Sequence, residues 1–240
     1  MPSEPARWFR NDIDELHLTL NDPTLGKVMH LVAADEYRVN FSATTIASAL
    51  ARCTCFEVRL PGAHSDIGGG YALRVVVERK YGLGDVPLRM FDYFKNQGWY
   101  LPAQGQRLYE PTGDDEHPQP YILGRREVPN TYQYVALHLM RKLAGLAASG
   151  MQFSTPTQDG EQRNIKCYLA PGTRLAAIQA QLEHFVLPRY AETQPLIAPL
   201  PEADYHWLRQ HYLHLSWKND MGFEYRRNAQ GRPIRKIIAG

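Results

Sequence analysis

Apolar and polar positions alternate along this chain with two different periods, broken by proline- and glycine-rich stretches. From Leu25, the run Gly26-Lys-Val-Met-His-Leu-Val-Ala-Ala-Asp35 sets apolar residues at helical intervals after the start signals Asn21, Asp22 and Pro23, and predicts a short helix. Cys53 to Leu60 alternates apolar with polar or charged residues and stops at Pro61-Gly62, the pattern of a strand ending in a loop. Tyr71 to Lys80 fits a strand or a helix, because its β-branched residues and its mixed periodicity pull opposite ways, and Gly82 and Gly84 end it either way. Val86 to Lys95 has a proline suited to a first helical turn and a stripe through Leu88, Phe91 and Phe94, with Gly98 as its stop. Residues 102–125, rich in proline and glycine and carrying the acidic patch Gly113-Asp-Asp-Glu116, read as a surface excursion, a lid or a plain loop. Helical periodicity is strongest from Tyr132 to Leu143, opened by Pro129 and Asn130 and stopped by Gly145. A second helix spans Gly172 to Val186, capped by Thr173 and closed by Pro188, and a third runs from Glu202 to Leu215. The basic, polar tail from Tyr225 to Lys236 reads as a surface hairpin or strap, and no internal repeat is present.

Composition narrows the class without naming it. A chain of 240 residues that is 44% hydrophobic and 11% aromatic can bury a sizeable core, so a globular domain with room for an appendage is expected. Its 27 basic and 25 acidic side chains, a net +2, are too balanced to recruit nucleic acid by counterion release. Three cysteines make an odd set. Cys53 and Cys55, neighbours on one face of a predicted strand, are poorly placed to bridge each other and read as small buried hydrophobes made in a reducing, cytoplasmic compartment. The first residues, Met1 to Arg7, carry acid and proline where a signal peptide needs a basic start and an apolar run. No uninterrupted apolar run reaches the roughly 18 residues of a transmembrane segment, so a membrane would be met from outside.

The sharpest chemical feature is Leu60-Pro-Gly-Ala-His64-Ser65-Asp66-Ile67-Gly68-Gly69-Gly70-Tyr71. A histidine on a loop at the carboxyl end of a strand is where α/β enzymes keep a general base, and glycines there allow close backbone approach. From the residues alone the segment fits equally well a tight turn with a surface histidine. Asp35, Glu36 and Arg38 read as the charged end of the first predicted helix. His206, His211 and His214 resemble a metal set, but their spacing on a helix puts only some of them on one face and no acidic residue is embedded among them, so packing is the reading.

The segment around His64 resembles the histidine block of the type VI secretion phospholipase effectors, a family of α/β-hydrolases. His30 to Phe41, Val128 to Leu137 and Leu208 to Ser216 extend the resemblance over most of the chain from residue 25 onward. It implies an α/β fold: a partial α/β-hydrolase, the C-terminal portion of a mostly parallel sheet flanked by helices, with residues 1–150 in the catalytic domain and 151–240 as a helical extension with a basic tail. In the family a serine in a nucleophile elbow attacks a phospholipid ester, a histidine relays the proton and an aspartate orients it. His64 matches the histidine. No G-x-S-x-G occurs here, and the family places its elbow upstream of the region this chain covers, with the orienting aspartate before the segment holding His30. Asp66 is left as the carboxylate beside His64 in sequence, either orienting the imidazole or holding the glycine loop through backbone N–H groups.

The resemblance thus implies part of an antibacterial phospholipase toxin that needs no cofactor or metal. Its partners would be phospholipid, an upstream segment carrying the nucleophile, a secretion-spike protein and an immunity protein, with delivery to a target-cell periplasm. An exposed apolar face is expected where further strands would pack. The rival readings are a remnant or adaptor without activity and a metal-dependent hydrolase built on His64 and Asp66.

Overall fold

The first described element is a strand, β1 (Val28–Ala33), and not the short helix its spacing predicts. The structure is a computed structural model describing residues 26–46, 55–82, 85–110, 119–147, 169–217 and 225–238. β1 runs parallel to β3 (Cys55–Leu60), with His30 opposite Glu57 and Ala33 opposite Leu60. One face of this pair, with Met29, Leu31, Phe56, Val58 and Leu60, joins the main core, while Val28 and Cys55 on the other pack with Ile46. With apolar residues on both faces, β1 loses the alternation that would reveal it, and its near-continuous apolar run imitates a helix. β7 (Leu196–Ile197) adds a third parallel strand beside β3. β2 (Ala43–Thr44) pairs in parallel with β8 (Ile237–Ile238).

A second sheet is antiparallel, in the order β4 (Arg74–Gly82), β6 (Gln119–Pro129), β5 (Gly105–Glu110). Tyr71 to Lys80 is thereby resolved as mostly strand, and the expected excursion over 102–125 is largely a hairpin, with its acidic patch outside the described residues. Gly124, Arg126 and Val128 of β6 are buried while Arg125 and Glu127 face out. The strand period is present, but a glycine and an arginine hold two of the buried positions and hide it. Gly124 leaves room for the Tyr100 ring, which a Cβ would meet at 2.6 Å. Arg126, 2% exposed, donates to the carbonyls of Trp99, Arg209 and Leu213.

The helices are α1 (His64–Gly68), α2 (Asp85–Asn96), α3 (Gln133–Ala147), α4 (Arg174–Val186) and α5 (Glu202–His211). α3 passes Gly145 before ending, and α5 stops short of the Leu215 that periodicity suggests. α4 is capped as expected: Thr173 Oγ1 accepts from the backbone N–H of Ala176 at 3.2 Å. Val135, Leu139 and Leu143 of α3 and Leu175, Ile178, Leu182 and Val186 of α4 meet Phe94, Trp99 and Trp217 in a single core. Each fully buried side chain of this kind contributes about 1.5–3 kcal/mol of transfer free energy. Cys55 is free and buried, and Cys53 lies outside the described residues. The tail folds as a hairpin whose bridge joins Arg227 to Pro233, and Tyr225 bridges to Arg38. The described fold is therefore mixed α/β with a parallel three-stranded sheet, and no described helix is long and apolar enough to cross a membrane.

Candidate active site

β1 and β3 end together, and their ladder continues into the loops beyond. The N–H of Ala34 donates to Leu60 O at 2.8 Å and that of Asp35 to Gly62 O at 2.9 Å. Two chain segments rich in polar groups, 34–42 and 61–71, are thus held at the carboxyl end of one parallel sheet, where open α/β sheets place their ligands. Gly62, at φ +116°, makes the turn into α1, and a Cβ there would lie 2.8 Å from Asp66 Cβ.

Asp66 sits 2% exposed in the third position of α1 and reaches back to accept the N–H of Ala63 at 2.9 Å. It also accepts the backbone N–H of His214 at 3.0 Å and lies 2.7 Å from His214 Nδ1. Burial pushes the Asp66 carboxyl up, against the bonds from His214 and Ala63. The Tyr71 ring stacks on His214 with centroids 3.6 Å apart.

Asp35 and Glu36 leave the end of β1 in different directions. Asp35 accepts from Gly62 N at 2.7 Å, Tyr37 Oη at 3.0 Å, Tyr205 Oη at 2.9 Å and Arg209 Nη2 at 2.7 Å, tying both strand ends to α5. Glu36 turns to the other side. Its Oε2 lies 2.8 Å from His64 Nδ1 and accepts from Arg38 Nη2 at 2.8 Å, while Oε1 accepts from Arg38 Nε at 2.9 Å and Ser216 Oγ at 2.7 Å. Burial would raise its carboxyl, yet the bonds from Arg38, His64 and Ser216 and the charge of Arg38 hold it well below the carboxylate range. The His64 side chain is 45% exposed beside this buried anchor. Phe41 stacks on its ring at 4.9 Å, and Arg38 lies over the other aromatic ring, 3.5 Å from the Phe41 centroid.

His64 Nε2 lies 3.1 Å from Ser65 Oγ. Nδ1 is 2.8 Å from the Glu36 carboxylate and also 2.6 Å from Arg38 Nη2. These distances fit two tautomers: Nδ1 donating to Glu36 with Nε2 open to a hydroxyl proton, or Nδ1 accepting from Arg38 with Nε2 donating to Ser65. Only the first is poised as a general base toward a hydroxyl.

His64 and Asp66, two apart in sequence, therefore have different carboxylate and histidine partners. Asp66 meets His214, and the carboxylate on His64 is Glu36, whose place in the sequence suggests the charged end of a helix. A strand over 28–33 would have put Glu36 just past a strand end, as Pro61-Gly62 puts His64, and that was the available signal. His206, His211 and His214 do not converge: His206 is 3.7 Å from Glu202, His211 packs on Trp207 and His214 is buried on Asp66. Among the described residues no three histidine, cysteine, aspartate or glutamate side chains are grouped to hold a metal.

Two cavities flank β1 and α1, one of them lined by His64. A polar pocket of about 390 Å³ is lined by His30, Ser42, Thr44, His64 and Arg235 among others. An apolar groove of about 470 Å³, with Leu31, Ile67, Tyr134, Leu137 and Met140, lies along α3.

No family model matches the chain, and no curated protein matches it significantly. Among solved structures it is similar to the Tle1 effector bound to the VgrG spike from the type 6 secretion system, at TM-score 0.49 and 21% identity. That similarity covers 89% of this chain and 50% of the other, so the chain spans about half the length of that effector.

Proposed function

We propose that this chain supplies the acid–histidine part of a serine-esterase site acting on phospholipid-type esters, with His64 as general base and Glu36 as the carboxylate that orients it. The observation that carries the reading is the Glu36–His64 contact of 2.8 Å at the carboxyl ends of adjacent parallel strands, with Nε2 turned to a hydroxyl. Nε2 takes the hydroxyl proton as the serine oxygen attacks the ester carbonyl, then returns it to the departing alcohol, leaving an acyl-enzyme that water cleaves by the same relay. Glu36, held ionised by Arg38 and Ser216, stabilises the imidazolium formed in each half. Asp66 shapes the loop, capping α1 and fixing His214.

The hydroxyl has two sources. The sequence resemblance favours a serine from an upstream segment, with residues 1–150 as the later part of the catalytic domain and 151–240 as an extension whose Tyr205 and Arg209 brace Asp35. A spike protein and an immunity protein are the partners this reading carries. The Ser65 contact of 3.1 Å favours instead a hydroxyl within this chain.

Labelling the purified chain with a fluorophosphonate, alongside fatty-acid release from phospholipid vesicles, separates them. Labelling at Ser65 that disappears in His64→Ala assigns the in-chain serine. Labelling only after co-expression with a segment bearing a nucleophile elbow assigns the upstream one. Absence of both labelling and release in every combination would leave the adaptor reading.

A further inference from the structure

We infer that the pocket beside His64 is a phosphate subsite in which Arg235, brought back by the C-terminal strap, and His30 bind a tetrahedral oxyanion. The inference rests on the esterase reading for what the phosphate belongs to, a phosphate-bearing ester substrate, but not for the binding itself.

Arg235 is fixed from both sides. Upstream of it, the strap is held by Arg226 N–H on Tyr37 O at 2.8 Å and Ile234 N–H on Arg226 O at 2.9 Å. Downstream, Ala43 N–H donates to Lys236 O at 2.9 Å and β8 pairs with β2. Arg235 Nη1 donates to the backbone carbonyl of Glu36 at 3.2 Å, and its Nε is buried with no hydrogen-bond partner among the described residues. No described carboxylate forms a salt bridge with it. A half-buried guanidinium lining a pocket without an anion leaves desolvation uncompensated, and a bound oxyanion would compensate it.

Charges of both signs surround it: burial lowers the Arg235 pKa, Glu36 and Asp35 oppose that, and Arg59 and Arg38 lower it further. Arg38 is neutralised by Glu36, whereas Arg59, whose Nε is also buried and unpartnered, has no described carboxylate in salt-bridge range. Among the residues lining the pocket, Arg235 is the one with a permanent charge. His30 has Nδ1 engaged by Glu57 Oε2 at 3.1 Å, which leaves Nε2 as the ring nitrogen available to the pocket, and Ser42 and Thr44 add hydroxyls. The remaining guanidinium N–H groups, an imidazole and two hydroxyls suit an anion with several acceptor oxygens better than a carboxylate with two.

The test is titration of the full chain with inorganic phosphate, followed by calorimetry and by the imidazole resonances of His30 and His64. Wild type should bind saturably and acetate more weakly. Arg235→Gln should weaken phosphate at least about tenfold, the loss of one charge-assisted contact, and Arg235→Lys less. Arg232→Gln, the same charge loss on an exposed part of the strap, should stay within about twofold. Thermal melting shows that each variant is folded. Equal phosphate affinity in folded Arg235→Gln, or no saturable binding by wild type, overturns the subsite. Competition by phosphatidylglycerol vesicles, absent with diacylglycerol vesicles, assigns the phosphate to a lipid headgroup, and failure of both to compete assigns it to a soluble phosphate ester. Phosphate binding lost in Arg235→Gln, with no ester hydrolysed under any condition, would keep the subsite and remove the esterase reading.

Discussion

Glu36 and Asp66 are both buried carboxylates in contact with a histidine, and their ionisation is shifted in opposite directions. Glu36 is held below its ordinary 4.5 in the folded state, so its contribution to stability is present above that value and is lost as pH falls through the folded value. Asp66 is held above its ordinary 3.8, so its contribution is full below that value and is lost as pH rises through the folded value. Urea unfolding midpoints measured from about pH 3 to pH 7 should therefore show Glu36→Gln flattening the acid limb and Asp66→Asn steepening it. Variants that change the limb in the same direction would contradict the two environments. Gly62 belongs to the same corner. Gly62→Ala meets both the positive φ and Asp66 at 2.8 Å and should cost roughly 1–3 kcal/mol, measured by the same unfolding method.

At the scale of elements, Arg126 acts as a tie between β6 and the end of α5, through the carbonyls of Arg209 and Leu213. Arg126→Met keeps much of the volume and removes the donors, and should destabilise by roughly 2–4 kcal/mol, because buried carbonyls lose their partners. A change under about 0.5 kcal/mol in thermal or urea unfolding would show that the carbonyls are satisfied otherwise. The residue is also instructive about how far sequence carries. α2, α3 and α4 were legible because leucine, valine and phenylalanine mark their buried faces and glycine, proline or threonine mark an end. β6 was not, since its inward positions include Gly124 and Arg126, whose burial depends on Tyr100 and on carbonyls supplied by distant residues. β1 was misread for the opposite reason, being apolar toward both faces. That error also concealed the site: His64 was visible from the glycine-rich loop after β3, whereas Glu36 gains its meaning only when 28–33 is a strand parallel to 55–60. Asp66 was nearest in sequence, and its carboxylate instead serves a backbone turn and His214, a partner 148 positions away.

Over the whole molecule, the parallel sheet has β1 at one edge among the described residues, beside the apolar groove along α3. An edge with no partner among the described residues, next to exposed Leu137, would offer further polypeptide a surface to pair with. Light scattering after size exclusion should find the isolated chain self-associated, with Leu137→Glu shifting it toward monomer. A wild-type monomer at every concentration would show that this face needs no cover. The assignment of Glu36 to His64 is tested most directly by ¹⁵N NMR of the imidazole nitrogens in wild type, Glu36→Gln and Asp66→Asn. The predicted result is a His64 ring protonated on Nδ1 in wild type, perturbed by Glu36→Gln and unmoved by Asp66→Asn, which should shift His214 instead. A His64 proton on Nε2, or a His64 that responds to Asp66→Asn and not to Glu36→Gln, would contradict it.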